Sequence, residues 1–197
     1  PDLTVAELVA LADEALAGFP HRRLDFDVAA AGEERRPGFE ALGWRALRLL
    51  YMRHVGPPPP RSELAIEEVA YEDADTLRRR WHEEDFPGQD PGDYYEQARE
   101  VALARGARVL TVRRDGEAIA FAQLEQVGDA AEIGQVYVDP ARRGAGLGEA
   151  LTRAAIAAAG PVTDLWISAD DEDRPKRLYA RLGFRPVWTS MELTKRP

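Results

Sequence analysis

Residues 136–151 combine the residue types needed to bind an anion. A β-branched and aromatic run from Val136 to Val138 stops at an Asp-Pro pair, crosses a basic, glycine-rich segment and enters an apolar helix. Glycines let backbone amides turn toward one point, and the first N–H groups of a helix favour negative charge. This order of strand, glycine-rich turn and helix predicts a phosphate cradle.

Two common phosphate motifs do not fit this segment. A P-loop ends in Gly-Lys-Ser/Thr, and a dinucleotide site places its glycines after an early strand, with an acidic residue about twenty positions further on. Neither pattern is met by the residues around the turn.

The glycine-rich turn resembles the acetyl-CoA signature of the GCN5-related N-acetyltransferase (GNAT) superfamily. The signature Q/R-x-x-G-x-G/A is matched by Arg143, Gly144, Ala145, Gly146, Leu147 and Gly148. The preceding strand ends in Val-Asp-Pro, as in that family. Residues 177–184, Arg-Leu-Tyr-Ala-Arg-Leu-Gly-Phe, are similar to the family's Leu-Tyr-x-x-x-Gly-Phe segment. Two motifs in this order are far more specific than a lone glycine loop.

The resemblance implies an α/β (α+β) chain with the GNAT acyl-CoA N-acyltransferase fold, a mixed central sheet flanked by helices. Hydrophobic periodicity and turn residues predict elements in a matching order. The predicted strands are 64–71, 109–113, 117–126, 131–138, 164–169 and 185–194, and the predicted helices are 73–84, 93–104, 146–159 and 173–182.

The start of the chain resembles its C-terminal part. The residues Leu-Gly-Trp-Arg at 42–45 stand 140 positions before Leu-Gly-Phe-Arg at 182–185, and the same offset aligns 24–28 with 164–168 and 7–18 with 147–158. This predicts a helix-strand-helix-strand partial repeat, as in tandem GNAT proteins.

The repeat lacks the residues expected to bind CoA. It has no Arg-Gly-x-Gly run, and no tyrosine stands at the position that answers Tyr179. We therefore predict one CoA site per chain. The predicted domains are a degenerate repeat at 1–56, a Pro-rich linker at 57–62 and a catalytic GNAT domain at 63–197.

The resemblance implies transfer of an acetyl group from acetyl-CoA to an amine, by direct attack through a tetrahedral intermediate. The strand residues Val136, Tyr137 and Val138 would bind the pantetheine like an added β-strand, and the turn 143–148 would hold the pyrophosphate. Tyr179 would protonate the leaving thiolate, since a phenol of pKa near 10 stays protonated at neutral pH.

The base that deprotonates the amine has several candidates. Glu132 lies on the central strand, where several family members keep a glutamate. In regular strand geometry it shares the face of Val136 and Val138, although a bulge would reset that parity. Glu125 on the preceding strand is the rival, and Tyr137 is a candidate relay through water.

Two positions depart from the family pattern. Many members have Asn seven residues before the tyrosine and Ala four before it, and this chain has Glu172 and Pro175 there. We do not transfer a CoA contact to Glu172. Proline is acceptable in the first turn of a helix.

Composition limits the partners. The net charge of -9 is concentrated between Glu63 and Glu100, where thirteen acidic residues stand against four arginines. An acidic chain is a poor nucleic-acid binder, because phosphate contacts supply most of that affinity. Its negative charge favours a cationic acceptor. Without cysteine and with three scattered histidines, no metal site is expected. No apolar run is long enough to span a bilayer, so we expect a cytoplasmic protein without a membrane partner.

The acceptor is expected beside the two helices after the first strand of the catalytic domain. Aromatic residues stand beside acidic ones there, from Trp81 to Phe86 and from Tyr94 to Glu96. A small amine, an amino sugar, a peptide N-terminus or a lysine would all fit, and a homodimer is compatible with the sequence. The alternative function is a non-catalytic acyl-CoA-binding sensor or interaction module.

Overall fold

The computed structural model describes residues 3–19 and 21–195. The chain divides into two compact units built from non-contiguous segments. Unit 1 is formed within residues 1–52, 168–177 and 186–197, and unit 2 within 53–167 and 178–185. The division into a repeat, a linker and a catalytic domain stays a prediction.

The described residues form helices and strands, four of which contribute to both units. The elements are α1 (Val5–Ala15), β1 (Arg22–Phe26), α2 (Ala29–Ala41), β2 (Arg45–His54), β3 (Glu67–Val69), α3 (Asp75–Asp85), α4 (Tyr94–Ala104), β4 (Arg108–Arg114), β5 (Glu117–Val127), β6 (Ala130–Val138), α5 (Leu147–Ala159), β7 (Asp164–Asp170), α6 (Pro175–Arg181) and β8 (Phe184–Lys195).

Unit 1 packs its two helices on strands, of which β1 and β8 are antiparallel. A capping box starts α1, because Thr4 accepts the amide of Glu7 while the Glu7 carboxylate accepts the amide of Thr4. Strand β8 lies between β1 and β2. The core contains Ala12, Phe39, Trp44, Met191 and Leu193.

Unit 2 contains a mixed sheet in the order β7-β6-β5-β4-β3. Strands β6 and β7 are parallel, and the other neighbours are antiparallel. Asp115 and Gly116, at φ of 53° and 85°, form the tight turn between β4 and β5 that the Asp-Gly pair predicts. The mixed central sheet expected from the resemblance is confirmed.

The sheet of unit 2 is covered by helices on both faces. Tyr137 and Phe121 pack with residues of α3 and α4 in one core cluster. Val138, the next residue along β6, points to the opposite face, toward the start of α5. Along α5 the buried residues recur every three or four positions, as a helix on a sheet requires, at Leu147, Ala150, Leu151, Ala155, Ile156 and Ala159.

The predicted order of elements is confirmed, and most bounds agree within two residues. The helix-strand-helix-strand order of the first part is confirmed by α1, β1, α2 and β2. The strand predicted at 64–71 is wrong in extent, because only Glu67–Val69 pairs with β4. Ser62 accepts the amide of Leu64 in a local turn, and Tyr71 already begins a 3-10 turn before α3.

Candidate functional site

Strand β6 carries a bulge at Gly134. Opposite β5, Ile133 pairs with Leu124 and Gln135 pairs with Gln123, so Gly134 is the extra residue. The parallel ladder with β7 runs from Ala130 to Ile133 and ends directly before this glycine. The part of β6 after the bulge therefore lies outside that ladder and keeps its antiparallel partners on β5.

The bulge corrects the predicted face of Glu132. Paired residues of antiparallel strands share a face, and Glu132 pairs with Glu125, which alternates with Leu124. Phe121 lies on the same face of β5 as Glu125 and pairs with Tyr137, so Glu132 shares the face of Tyr137. The expectation from regular geometry, that it shares the face of Val136 and Val138, is wrong because one extra residue reverses strand parity.

The turn after β6 presents backbone amides at the start of α5. Asp139 accepts the amide of Ala141 and begins a 3-10 turn. Gly144 and Gly146 have φ of 82° and 77°, a region that favours glycine. Gly146 is the N-cap of α5 and makes no side-chain capping bond, so the first amides of the helix are left to another acceptor.

Arg143, predicted to bind the cofactor, is engaged by α3. Its guanidinium lies 2.7 Å from both carboxylate oxygens of Glu84, and its Nε donates to the carbonyl of Val138 at 3.1 Å. The Tyr137 hydroxyl donates to the same Glu84 carboxylate at 3.1 Å. Arg143 thus joins the glycine-rich turn to the end of α3.

These contacts shift two pKa values in opposite directions. The bond from Arg143 lowers the pKa of Glu84. Burial, followed by the Glu84 contact, raises the pKa of Tyr137 to about 12. In this structure the Tyr137 hydroxyl donates to Glu84, and the relay through water considered from the sequence stays a prediction.

Tyr179 lies on α6 and is 6% exposed. Its ring meets Phe184 edge to face, with centroids 6.2 Å apart. The preceding residue, Leu178, lies beside Gly148, because a Cβ there would be 4.0 Å from Leu178 and 3.8 Å from Val138. The structure thus brings together the helix of Tyr179, the end of β6 and the start of α5.

Glu132 and its rival Glu125 stand opposite each other on neighbouring strands. Burial is the main cause that raises the pKa of Glu132, and the Glu125 charge adds to it, while Arg105 opposes it. Glu125 pairs with Arg105 at 3.4 Å, and its Oε1 lies 3.9 Å from where a Cβ on Gly134 would be. The two candidate bases therefore form one carboxylate pair beside the bulge.

A buried polar chain reaches this pair from α3. Arg78, 6% exposed, donates to the carbonyl of Tyr71 at 2.6 Å and to Gln123 Oε1 at 3.0 Å. Gln123 in turn donates to Glu125 at 2.8 Å. Sequence reasoning missed both residues. The signal was present, since Arg78 falls on the stripe of Ala74 and Leu77 that faces the core.

The predicted acceptor segments form an aromatic region on α3 and α4. Trp81 stacks on Tyr137 with centroids 5.5 Å apart. His82 is 8% exposed and lies among three rings, with centroids 5.2 to 6.0 Å away, those of Phe86, Tyr94 and Tyr95.

Residues 3–19 and 21–195 contain neither a membrane-spanning helix nor a cluster of metal-ligating side chains. No helix there is long and apolar enough to cross a membrane. No group of three or more His, Cys, Asp or Glu side chains in this part of the chain could hold a metal ion. The expectation of a site without metal stays a prediction.

The mixed sheet, the early end of the β6–β7 ladder and the glycine-rich start of α5 together define an acyl-CoA N-acyltransferase type of fold. The protein-family model described as "Acetyltransferase (GNAT) family" matches residues 74–184. The chain belongs to this family.

Relatives and solved structures agree with this assignment. The chain is 43% identical over 82 residues to a mycothiol acetyltransferase of Nocardia farcinica (strain IFM 10152), in an alignment that covers 40% of this chain and 26% of that protein. A GCN5-related N-acetyltransferase from Sphaerobacter thermophilus matches with a TM-score of 0.63 at 17% identity, covering 98% of this chain and 66% of that one.

A tandem GNAT protein from the clavulanic acid biosynthesis pathway matches with a TM-score of 0.58 at 16% identity, over 89% of this chain and 63% of that one. At these identities the structural matches show the fold. The chain spans about a quarter of the length of the mycothiol acetyltransferase and about two thirds of these structures.

Proposed function

We propose that this protein transfers an acetyl group from acetyl-CoA to an amine acceptor, as an acyltransferase of the EC 2.3.1 class. The observation that carries the proposal is the end of the β6–β7 ladder at Ile133, directly before the Gly134 bulge. The backbone from Gln135 to Val138 then offers an edge on which the pantetheine amides bind as an added strand.

The glycine-rich turn holds the pyrophosphate at the start of α5. The positive φ of Gly144 and Gly146 and the absence of a side-chain cap on α5 support this role. Arg143 adds positive charge once it exchanges the Glu84 carboxylate for the phosphates. The remaining members of the turn, Ala145, Leu147 and Gly148, complete the predicted contact.

Glu132 accepts the proton of the acceptor ammonium, and the resulting neutral amine attacks the thioester carbonyl. Its position beside the bulge supports this role, because the raised pKa makes its carboxylate a better base. Tyr179 gives its proton to the departing thiolate. The approach of Leu178 to Gly148 supports this role, since it brings the helix of Tyr179 beside the turn.

The acidic excess of residues 63–100 gives less support to a cationic acceptor than the sequence suggested. Arginines from later in the chain neutralise part of it, and these pairs are Glu68 with Arg108, Asp73 with Arg113 and Glu84 with Arg143. We therefore define the acceptor by its nucleophilic amine, on a small molecule or a peptide, and not by net charge.

The test is turnover of acetyl-CoA with a panel of amines, followed by free thiol release and by mass spectrometry of the acceptor. The panel contains small amines, aminoglycosides, peptides and, because of the 43% identical relative, the acceptor of mycothiol acetyltransferase. We expect one class to gain a single acetyl group in step with thiol release.

A calorimetric titration with CoA separates the outcomes. CoA binding without any acetylated acceptor would favour the acyl-CoA sensor, and the lack of CoA binding would overturn both functions. Thiol release without an acetylated acceptor would show hydrolysis of acetyl-CoA and also contradict the proposal.

A further inference from the structure

One side-chain oxygen on β6 is buried without a hydrogen-bond partner. Gln135 is half-buried, and its Oε1 atom is shielded from solvent, yet no donor among residues 3–19 and 21–195 reaches it. A buried amide oxygen without a donor destabilises the folded state, so native proteins keep few such atoms. The Gln135 oxygen is therefore a candidate for binding a donor that is not part of the chain.

Gln135 follows the bulge and shares a face with the candidate base. It pairs with Gln123 on β5, just as Glu132 pairs with Glu125. Gln123 and Glu125 lie two positions apart on a regular strand, so they share a face, and so do their partners on β6. Gln135 and Glu132 thus project to the same face from either side of Gly134.

Gly134 leaves space between these two side chains. Beyond its chain neighbours, a Cβ at this position would meet a single described atom within 4 Å, the Oε1 of Glu125 at 3.9 Å. The glycine is itself exposed, so the space is open to solvent. A ligand atom can therefore approach the Gln135 oxygen through the bulge.

The polar side chains nearby are engaged with one another. Arg78 donates to three partners, the Tyr71 carbonyl, Asp75 and Gln123. Gln123 donates to Glu125, which also pairs with Arg105. The Arg78 Nε–H has no partner in the described part of the chain, so it is not bonded to Gln135 either. The donor for the Gln135 oxygen is thus left to a bound molecule, either substrate or water.

The proposed cofactor site puts the thioester at this bulge. The pyrophosphate binds at the turn after β6, and the pantetheine follows the strand edge back from Val138 to Gln135. The acetyl group at the far end of the pantetheine therefore lies near Gly134. The attacking nitrogen has to reach the same place.

We infer that Gln135 is a substrate-binding residue, whose Oε1 accepts an N–H of the acceptor's amino group in the space left by Gly134. The inference deepens the proposed function and rests on it for the position of the thioester. A protonated amine offers more than one N–H, so it donates to Gln135 while another N–H faces Glu132. A quaternary ammonium of equal charge has no N–H to donate.

The experiment is an NMR titration of the Gln135 side-chain amide with n-butylamine hydrochloride, with and without CoA. The signal is assigned by its loss in Gln135→Met. Butyltrimethylammonium chloride is the matched probe, because it carries the same charge and no N–H. We expect n-butylamine alone to shift the Gln135 signal, and we expect the shift to saturate.

Two variants test the two parts of the site, with the Ile133 backbone amide as the reporter of binding. Gln135→Met keeps the volume and removes the oxygen, and Gly134→Ala fills the space beside it. Each is expected to weaken n-butylamine binding about tenfold, the effect of losing one hydrogen bond to a charged group, and to leave CoA affinity unchanged.

The variants have a structural control and do not depend on each other. Gly134 is not among the glycines at positive φ, so Gly134→Ala provides the test if Gln135→Met fails to fold. Gln126→Met is the matched control, because Gln126 follows Glu125 on β5 and lies on the opposite face of the strand. It should bind n-butylamine as the wild type does.

Equal shifts with both ammonium salts, or no shift with either, would overturn the inference and assign the Gln135 oxygen to bound water. A loss of CoA affinity in Gln135→Met would also overturn it, because the oxygen would then belong to the pantetheine site. The titration needs no turnover, so its result is independent of the amine panel. A selective shift in a protein that acetylates nothing would sink the proposed function alone, and turnover without a selective shift would sink this inference alone.

Discussion

At the scale of single residues, Tyr179 and Glu132 carry the proposed proton transfers; Tyr179 is buried and Glu132 is half-buried. Tyr179 lies on a short helix, and its ring packs against Phe184. Glu132 lies beside a second carboxylate next to the bulge of β6. Each role gives a prediction with its own measurement.

We expect Tyr179→Phe to lower kcat by about 10²–10⁴-fold, the usual contribution of a general acid, with little change in CoA affinity. The measurement is steady-state turnover together with calorimetry. Tyr51→Phe is the control, since Tyr51 stacks on Trp188 in unit 1. Unchanged turnover of folded Tyr179→Phe would remove this residue from the mechanism.

Glu132→Gln is expected to raise the free energy of unfolding at neutral pH. The folded pKa of Glu132 is raised above 4.5, so its ionisation favours the unfolded state as pH rises through the folded value. The gain should vanish below about pH 4, where the carboxyl group is protonated in both states. Urea denaturation across this pH range measures the gap, and a gap that widens toward acid would contradict the assigned shift.

At the scale of elements, the turn between β6 and α5 and the end of α3 meet through Arg143 and Glu84. The Glu84 carboxylate is paired with the guanidinium of Arg143, the group that we assign to the pyrophosphate. CoA binding is therefore expected to depend on this contact.

Glu84→Gln is expected to raise CoA affinity by up to about fivefold, the range of a partly exposed ion pair. The reason is that Arg143 no longer exchanges a carboxylate for phosphate. Calorimetry measures the change, with Glu83→Gln as the control on the preceding residue of α3, where it bonds the amide of Gly88. A loss of affinity in Glu84→Gln would show that the ion pair holds the turn in its binding conformation.

Two of the three glycines of the turn, Gly146 and Gly148, should respond differently to alanine. Gly146→Ala strains a φ of 77° and shifts the first amides of α5, so we expect about a tenfold or greater loss of CoA affinity. Gly148→Ala places a methyl group in ordinary contact with Val138 and Leu178 and removes a helical glycine. It should keep affinity and gain about 0.5–1 kcal/mol of stability. Equal losses of affinity would contradict the assigned roles.

At the scale of the whole molecule, the 140-residue offset relates two similar turns, each with a glycine at positive φ. Gly43 has φ of 79° and open space around its Cβ position. Gly183 has φ of 100°, and a Cβ there would lie 2.9 Å from His54 Nε2 and 3.2 Å from the carbonyl of Val55. A methyl group added at Gly43 would therefore meet open space, whereas one added at Gly183 would meet close neighbouring atoms.

Gly43→Ala is expected to cost about 1–2 kcal/mol from backbone strain alone. Gly183→Ala should cost about 1–3 kcal/mol more, because the backbone carbonyl of Val55 cannot move aside freely. Denaturant unfolding of both variants measures the difference. Equal costs would mean that the region around His54 adapts to the methyl group.

Much of the fold was predictable because its signals are local. The tight turn at Asp115-Gly116, the periodic apolar face of α5 and the glycine at the start of that helix each act within a few residues. The resemblance then supplied the family, which the match over residues 74–184 confirms. The strand predicted at 64–71 was too long because edge pairing, and not composition, sets its ends.

The sequence by itself determined the glycine-rich turn, the order of helices and strands and the family. The tertiary structure decided which face Glu132 occupies, because a single bulged residue at Gly134 reverses strand parity. It also joined Arg78 to Gln123 and Glu84 to Arg143, side chains that lie 45 and 59 positions apart. Such pairs depend on how helices pack on the sheet, which no local spacing encodes.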